Sequence, residues 1–383
     1  MRRAGFPGVI ALGLLSLLAT VGDFAEATSR ARRATIDDLL ALEVRPIAIG
    51  HRGFGENLGE DPSRPIENTV NAVRQGFRAG ISVVEVDVQR TADGEIVAYH
   101  DDFLWDFTCI HRLTLGQLRV RVPQVATLHA ILWQARAVEI PGELRGLVIV
   151  ELKAPSPLCD RRDTQEHALV SSVAAVIRQA GMTHQVILTS FSPVLLLHAQ
   201  ALIPEATRSL TVDVLQFLSP EDVQSVLNVR FPGLKLALID KRPDLGLQWA
   251  EIGPLLRLPS YWSVENGSFV EAVGKLIATA ATVDARVVEV DLALLGSRVG
   301  PVLVGPLLVG ALHGARLEVF GYAVDTEDEW RQLAALGVDA IYTNDIPLGV
   351  RLQASLPDLE RRHGHLASFR DRHLEPLVVG DPR

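Results

Sequence analysis

The amino-acid sequence predicts an α/β fold, a closed TIM (β/α)₈ barrel with an extra hairpin arm. Along most of the chain, short apolar strand candidates alternate with amphipathic helix candidates, a pattern typical of parallel strands joined by helices. The alternative is an open doubly wound sheet. Such sheets bind nucleotides through Gly-rich motifs after a strand, and neither G-x-G-x-x-G nor G-x-x-x-x-G-K-[ST] follows a strand candidate here. The barrel is therefore the preferred fold.

The strand candidates outnumber the eight strands that a barrel requires. Ile96–His100 follows its neighbour through the turn Ala92–Gly94, so it is predicted to form the hairpin arm outside the barrel. Lys235–Asp240 is expected to be a second extra piece outside the barrel. The pentapeptide VVEVD of Val83–Asp87 recurs at Val287–Asp291, which is weak evidence for duplication. The candidates are Ile47–Gly50, Ser82–Val88, Ile96–His100, Leu147–Lys153, Gln185–Phe191, Arg208–Asp213, Lys235–Asp240, Arg286–Asp291, Leu317–Val324 and Ala340–Thr343.

Helix candidates lie between most of these strands, and Gly or Pro marks several of the joints. The apolar run Val299–Leu312 is interrupted by Pro301, Gly305, Pro306 and Gly310, so it is not expected to cross a membrane. The helix candidates include Thr69–Arg78, Leu128–Ala137, Glu166–Ala180, Val194–Leu202, Phe269–Thr282 and Glu327–Leu336.

The first 27 residues are predicted to be a cleaved signal peptide. Arg2 and Arg3 form a positive start, the apolar run Val9–Val21 follows, and Ala25–Ala27 offers an A-x-A cleavage site. An uncleaved anchor and a twin-arginine signal are the alternatives. The mature chain is then expected to begin at Thr28, outside the cytoplasm, as one catalytic domain over residues 28–383 with its core at about 46–350.

The composition excludes one class of partner. The net charge is −9, and no basic run or basic patch with interleaved aromatic residues occurs, so a nucleic-acid partner is not expected. After cleavage of the signal peptide, no remaining stretch is apolar for long enough to span a bilayer. A small-molecule substrate is the expected partner.

Charged residues follow the expected strand ends, and in a barrel those ends share one rim. Glu85 and Asp87 stand two residues apart on a strand, so they point the same way, and Glu151 ends a later strand. Three carboxylates without Cys or His are the oxygen ligands that Ca²⁺ or Mg²⁺ prefers. The alternative is a structural ion network in which Arg52 and Lys153 balance the acids.

Two histidines also end strands on this rim. His51 and His100 are candidates for proton transfer, since His titrates nearest to neutral pH. Arg52 and Lys153 are candidates for holding an anionic phosphate.

A disulfide is expected between Cys109 and Cys159, the only cysteines of the chain. Their loops leave strand ends on the same rim, and the signal peptide implies an oxidising compartment. The alternative is a pair of unbonded small apolar residues.

Six stretches together resemble the glycerophosphodiester phosphodiesterases. They occur in the family's order between residues 47 and 350, and the combination of HRG, E-x-D, HD and E-x-K is specific. The stretches are GHRG at Gly50–Gly53, ENT at Glu67–Thr69, VEVDVQRTADGEIVAYHDD at Val84–Asp102, VELK at Val150–Lys153, ILTSF at Ile187–Phe191 and GVDAIYTND at Gly337–Asp345.

The resemblance implies a metal-dependent TIM-barrel enzyme that cleaves a glycerophosphodiester to glycerol 3-phosphate and an alcohol. It implies that a glycerol hydroxyl attacks phosphorus and that water opens the resulting cyclic phosphate. Tyr322 stands where the family has Trp, and it is expected to contact substrate. The residue roles that the resemblance implies are His51 and His100 as acid and base, Arg52 and Lys153 on phosphate, and Glu85, Asp87 and Glu151 on one Ca²⁺ or Mg²⁺, with Glu67 either a further ligand or merely a neighbour of a helix N-terminus.

Two other functions remain open from the sequence. A sphingomyelinase D-like or lysophospholipase D-like enzyme would need an apolar groove at the barrel mouth, which Leu104–Trp105 and Tyr261–Trp262 could line. A secreted ligand-binding barrel without turnover would need Arg52 and Lys153 but not two histidines.

Overall fold

The computed structural model describes residues 34–42, 45–138, 146–154, 159, 166–217, 261, 269–299 and 302–362. The expected signal peptide and the strand candidate Lys235–Asp240 lie outside these residues. Over the described ranges, no helix combines the length and the apolar character needed to cross a membrane.

Twelve strands occur in the described part of the chain. In chain order they are β1 (Ile47–Gly50), β2 (Val83–Arg90), β3 (Ile96–Ala98), β4 (Ala126–Thr127), β5 (Leu147–Leu152), β6 (Val186–Ser190), β7 (Thr207–Val212), β8 (Val287–Asp291), β9 (Arg298–Val299), β10 (Val302–Leu303), β11 (Glu318–Val324) and β12 (Ala340–Thr343).

The helices alternate with these strands as the sequence predicted, with additions. They are α1 (Ile36–Leu40), α2 (Val70–Ala79), α3 (Leu115–Arg121), α4 (Leu128–Ala137), α5 (Glu166–Ala180), α6 (Pro193–Leu202), α7 (Phe269–Thr282), α8 (Leu292–Leu295), α9 (Val304–Gly314), α10 (Glu327–Leu336) and α11 (Ile346–Arg362), with 3₁₀ turns at Ile110–Arg112 and Val214–Phe217.

Eight of the strands close into a parallel barrel, which confirms the predicted fold class. Their order around the barrel is β1, β2, β5, β6, β7, β8, β11 and β12. Pairing of β12 with β1 completes the ring, with Ile47 opposite Ala340 and Gly50 opposite Thr343. All the carboxyl ends of these strands therefore meet at one mouth.

The hairpin arm also lies where the sequence predicted it. Strand β3 runs antiparallel to the last residues of β2, with Val88 opposite Ala98, and β4 pairs antiparallel with β3. The arm therefore extends from the mouth side of the barrel, because it pairs with the carboxyl-terminal end of β2.

Helix α1 covers the amino-terminal end of the barrel. Its apolar residues Ile36, Leu39 and Leu40 are buried in one cluster with inward-facing residues of the strands, such as Ile149 and Phe320. A capping box at Thr35 starts this helix, and the Ile36 N–H donates to the carbonyl of His184. Apolar side chains thus close the centre of this end of the barrel.

Helix α9 forms within the apolar run whose Gly and Pro residues argued against a long helix. Pro306 is its third residue, and in the first turn the missing N–H of proline leaves no hydrogen bond unmade. A Cβ on Gly305 would lie 2.4 Å from the carbonyl oxygen of Leu295, so this glycine permits close packing of α9 on α8.

Glu289 of β8 is a buried carboxyl group that the sequence interpretation did not single out. It is 3% exposed, and the hydroxyl of Thr211 donates to its Oε2 at 3.2 Å, while its Oε1 has no hydrogen-bond partner. Burial raises the pKa of Glu289 to about 7, against a smaller lowering by the hydroxyls of Tyr342, Ser209 and Thr189. The group is therefore largely protonated in the folded protein below neutral pH.

Glu289→Gln is expected to make the protein more stable than wild type at pH 8, by on the order of 3 kcal/mol. A carboxyl whose pKa is raised on folding destabilises the folded state above its unfolded pKa, because only the unfolded chain ionises freely. The difference between the two proteins should therefore shrink as pH falls toward 4.5. Urea unfolding at several pH values measures it, and a difference independent of pH would contradict this account.

Candidate active site

The turn after β1 places His51 and Arg52 at the barrel mouth. Arg52 and Gly53 both have positive φ angles, 48° and 90°, so the chain reverses within two residues. A Cβ on Gly53 would lie 2.9 Å from the backbone nitrogen of Val73 in α2. Glycine is therefore required here both by the backbone conformation and by the close approach of the helix.

Three carboxylates meet at the mouth, as the sequence predicted. Glu85 and Asp87 point inward from β2 and are 2% and 1% exposed, and Glu151 points inward from the end of β5. One carboxylate oxygen from each of the three lies within 4.8 Å of the others. The alternation of side chains along β2 explains why its two acids face the same way.

Two cationic side chains contact these acids. The Nζ of Lys153 lies 2.9 Å from Asp87 and 2.7 Å from Glu151. Arg52 lies 3.7 Å from Asp87 and 2.9 Å from Glu67. Arg52 also lies 3.3 Å from Glu56, so the carboxylates around these two cations outnumber them.

Glu85 has the most strained electrostatic environment of the cluster. Burial raises its pKa well above the usual range, and the neighbouring Asp87 and Glu151 raise it further. The backbone N–H of Arg52 donates to its Oε2 at 2.9 Å, but its Oε1 is buried without a hydrogen-bond partner. Such an orphaned oxygen in an acidic cluster fits a cation ligand.

The ionisation of Asp87 is favoured instead. Burial alone would raise its pKa, but Lys153, His100 and Arg52 outweigh that cost and hold the pKa well below its usual range. Burial would lower the pKa of Lys153, but the carboxylates of Asp87 and Glu151 outweigh it and raise that pKa above its usual value. The contacts of Asp87 therefore favour its charged form in the folded protein.

Glu67 lies outside the three-carboxylate cluster. Its Oε1 accepts a hydrogen bond from Arg52 at 2.9 Å, and its Oε2 accepts one from the backbone N–H of Asn57 at 3.0 Å. Thr69, two residues later, caps α2 by accepting from the N–H of Ala72. The carboxyl of Glu67 thus fixes the guanidinium of Arg52 in these contacts, and its expected role on the metal stays a prediction.

Asn68 is a site residue that the sequence interpretation missed. Its side-chain amide donates to Asp87 Oδ2 at 2.8 Å, and its Oδ1 accepts from the Asp87 N–H at 3.0 Å. This pair of bonds fixes the carboxylate that Lys153 and Arg52 face. The motif ENT pointed to the stretch, but nothing in it indicates which of its residues reaches β2.

Asn344, also missed from the sequence, orients His51. The His51 Nδ1 lies 2.7 Å from Asn344 Oδ1, and an amide oxygen can only accept, so Nδ1 carries the hydrogen. The Nε2 atom is left with its lone pair. Burial lowers the pKa of His51 to about 3, with Arg52 contributing further, so the ring is neutral at physiological pH.

His100 has a different partner. Its Nδ1 lies 2.8 Å from Asp101 Oδ1, and that hydrogen bond lowers the pKa of the Asp101 carboxyl. The two histidines therefore have different hydrogen-bond partners at Nδ1, an amide oxygen for His51 and a carboxylate for His100.

Tyr322 lies on the opposite wall of the mouth. Its hydroxyl donates to the carbonyl oxygen of Val212 at 2.8 Å, and its ring contacts Phe191 edge-on at 6.3 Å between centroids. Burial, together with the carboxylates of Asp213 and Asp291, raises the pKa of the hydroxyl well above 10. The side chain is partly buried and its hydroxyl is already bonded to Val212, so a contact with substrate would be made by the ring.

The residues that were expected to line an apolar groove do not form one together. Leu104 and Tyr261 are buried in the core, whereas Trp105 is 85% exposed. Trp262 lies outside the described residues. The observation that would have favoured a lipid-cleaving enzyme is therefore missing from the described part of the mouth.

Cys109 and Cys159 are joined by a disulfide in the structure, across a separation of 50 residues. Both are buried, and Arg112 donates to the carbonyl of Cys159. The bridge ties the loop that follows His100 to the loop that follows Lys153. Closing a loop of this length stabilises the fold by roughly 3–4 kcal/mol in the chain-entropy description.

Comparison with known proteins identifies related sequences. Residues 51–229 match the model of the glycerophosphoryl diester phosphodiesterase family. A glycerophosphocholine phosphodiesterase of Eremothecium gossypii is 41% identical over 73 residues, which are 18% of this chain and 6% of that protein. The chain therefore spans only a small part of the length of that curated relative.

Two solved structures share the barrel. A protein from Silicibacter pomeroyi DSS-3 is 18% identical with a TM-score of 0.59, covering 86% of this chain and 98% of that one. A phosphodiesterase from Oleispira antarctica, solved with the product sn-glycerol-3-phosphate, is 18% identical with a TM-score of 0.50, covering 81% and 97%. At this identity the likeness is one of fold alone.

Proposed function

Because this chain belongs to the glycerophosphoryl diester phosphodiesterase family, we propose that it hydrolyses glycerophosphodiesters to glycerol 3-phosphate and an alcohol. One observation carries the proposal. Three carboxylates, two cationic side chains and two histidines with different hydrogen-bond partners converge at one end of the barrel. The product bound in the Oleispira antarctica phosphodiesterase supports the substrate class.

The substrate phosphate would be held by Arg52 and Lys153. The Arg52 fork is fixed by Glu67, and Lys153 spans Asp87 and Glu151, so both cations are positioned before substrate arrives. A phosphodiester carries one negative charge, which a planar guanidinium and an ammonium group can bind together. Preorganised cations of this kind also stabilise the charge that grows on phosphate oxygens in the transition state.

Glu85, Asp87 and Glu151 would hold one divalent cation, Ca²⁺ or Mg²⁺. The Glu85 oxygen that has no hydrogen-bond partner among the described residues, and the excess of carboxylates over cationic side chains, support this assignment. When bound, such a cation supplies Lewis-acid polarisation of phosphate oxygens. The alternative, a purely structural ion network, accounts for the contacts of Lys153, but among the described residues it leaves Glu85 without a cationic side chain within the distance of an ion pair.

The two histidines divide acid and base work in this proposal. His51 would accept a proton at Nε2, because Asn344 holds its hydrogen at Nδ1. His100 would donate a proton to the departing alcohol, with Asp101 holding the ring through its Nδ1. The glycerol hydroxyl next to the phosphorylated carbon would attack phosphorus and form a cyclic phosphate, which water then opens by the reverse proton transfers.

We further propose that the chain is exported, that the signal peptide over residues 1–27 is removed, and that residues 28–383 form one catalytic domain. The composition of the amino terminus supports export. The Cys109–Cys159 bridge is compatible with an oxidising compartment.

His51→Ala and His100→Ala are each expected to lower kcat by about 10²–10⁴ in the release of glycerol 3-phosphate from glycerophosphocholine. Substrate binding should change less, since Arg52 and Lys153 remain. His184→Ala is a matched control, because this exposed residue lies at the opposite end of the barrel. Near-normal kcat in either active-site variant would show that this histidine has no role in proton transfer.

Removal of divalent cations with a chelator is expected to abolish the same activity, and added Ca²⁺ or Mg²⁺ should restore it. Glu85→Ala should not be restored, because it removes a ligand while the fold remains. Glu205→Ala, at a surface ion pair with Arg178, is the control and should behave like wild type. Full activity in excess chelator would refute the metal assignment.

A substrate analogue without the attacking hydroxyl, such as a 2-deoxyglycerol phosphodiester, is expected to bind but to react barely at all. The cyclic route has no nucleophile in that case. Competition against glycerophosphocholine measures its binding, and alcohol release measures its cleavage. Rapid cleavage would point to direct attack by water.

The intact mass of protein recovered from outside the cytoplasm should equal that of a chain starting at Thr28, less two hydrogens for the disulfide. Reduction of the disulfide should raise the measured mass by two hydrogens. A mass that includes residues 1–27 would contradict cleavage, and an unchanged mass on reduction would contradict the bridge.

A further inference from the structure

Gln89 is the fourth inward-facing residue of β2, after Val83, Glu85 and Asp87, and the first beyond the acid pair. It stands two residues after Asp87, so the strand alternation places it on the same face as Glu85 and Asp87, one step nearer the mouth. Its side chain is 92% removed from solvent, since the residue is only 8% exposed. The N–H groups of a buried amide need hydrogen-bond acceptors within the protein.

The donors of Gln89 go to the backbone on both sides of His100. Its Nε2 lies 2.7 Å from the carbonyl oxygen of Asp101 and 2.9 Å from that of Tyr99, and 3.4 Å from that of His100 itself. An amide nitrogen carries two hydrogens, so the two shorter contacts are its hydrogen bonds. One side chain thus bridges the peptide groups that flank the histidine.

This bridge begins where the strand ladder stops. Strand β3 ends at Ala98, and the Tyr99 N–H still donates to the carbonyl of Asp87 at 3.1 Å. His100 lies beyond that bond. Past Tyr99, the side chain of Gln89 therefore takes over from the backbone hydrogen bonds in holding this segment to β2. Asp101 then sets the direction of the imidazole through its Nδ1.

We propose that Gln89 is a positioning residue that holds the His100–Asp101 segment, and so the His100 imidazole, in place above the carboxylate cluster. The inference rests on the proposed role of His100 in proton transfer. A misplacement of about 1 Å in a catalytic group can cost on the order of 10²-fold in rate. Gln89 therefore acts on kcat through His100 without touching substrate.

Kinetics of Gln89→Leu test the proposal. Leucine fills a similar volume without donors, so kcat should fall by about 10–100-fold while KM stays within about threefold. Gln89→Glu is a second variant of the same length, and its carboxylate, facing three carbonyl oxygens, should reduce kcat at least as much. Gln185→Leu is the matched control, because this buried glutamine lies at the start of β6, at the other end of the barrel, and its Nε2 has no hydrogen-bond partner.

A double-mutant cycle separates positioning from general damage. If Gln89 acts through His100, Gln89→Leu should lower activity in wild type but hardly at all in the His100→Ala background. An equal loss in both backgrounds would overturn the proposal, as would a normal kcat in both Gln89 variants. If His100→Ala itself keeps its activity, the proposed function of His100 fails instead, and the two failures are distinguished.

An NMR measurement tests the positioning independently of turnover. The imidazole signals of His100, identified by their absence in His100→Ala, should shift and broaden in Gln89→Leu, whereas those of His51 should not. Unchanged His100 signals in a folded Gln89→Leu protein would refute the proposal whatever the activity of the enzyme.

Discussion

The site depends on one electrostatic constraint, the burial of like charges side by side. Glu85 and Asp87 point the same way from β2 into the mouth, and Glu151 joins them from β5. In a low-dielectric interior such a group costs several kcal/mol unless opposite charges or hydrogen bonds compensate it. Each neighbouring element supplies part of that compensation: Lys153 and Arg52 supply charge, and Asn68 supplies hydrogen bonds. Glu85 receives the N–H of Arg52 at one oxygen, and its other oxygen is left for a cation.

The same pentapeptide, VVEVD, meets this constraint differently on opposite walls of the barrel. In β2 the strand continues to Arg90, so both acids stay inside among cationic side chains. In β8 the strand ends at Asp291, whose carboxylate caps the next helix by accepting from Ala293, while Glu289 stays inside among hydroxyl groups. One copy therefore builds a charged cluster, and the other leaves a single largely neutral acid. Local sequence does not decide this; strand length and the neighbouring strands do.

The predictable part of this protein is the part that follows from periodicity and charge. Alternating strands and helices predicted the closed barrel, and strand alternation predicted that Glu85 and Asp87 would face inward together. The amide residues Asn68, Asn344 and Gln89 were missed, because their contacts join segments distant along the chain and neutral side chains carry no charge pattern to reveal them. Helix α9 was not among the helix candidates, although Pro306 in its first turn and the close-packed Gly305 are compatible with a helix.

Calorimetric titration of the cation-free protein with Ca²⁺ and with Mg²⁺, in buffers of different ionisation enthalpy, tests the central claim most directly. Burial and its acidic neighbours hold the pKa of Glu85 high, so cation binding must displace a proton. The account predicts one cation per chain for at least one of the two metals, with proton release, and loss of that binding in Glu85→Gln. Absence of binding by both cations at millimolar concentration would contradict it. Arg52 and Lys153 would then supply all of the positive charge that compensates the acids.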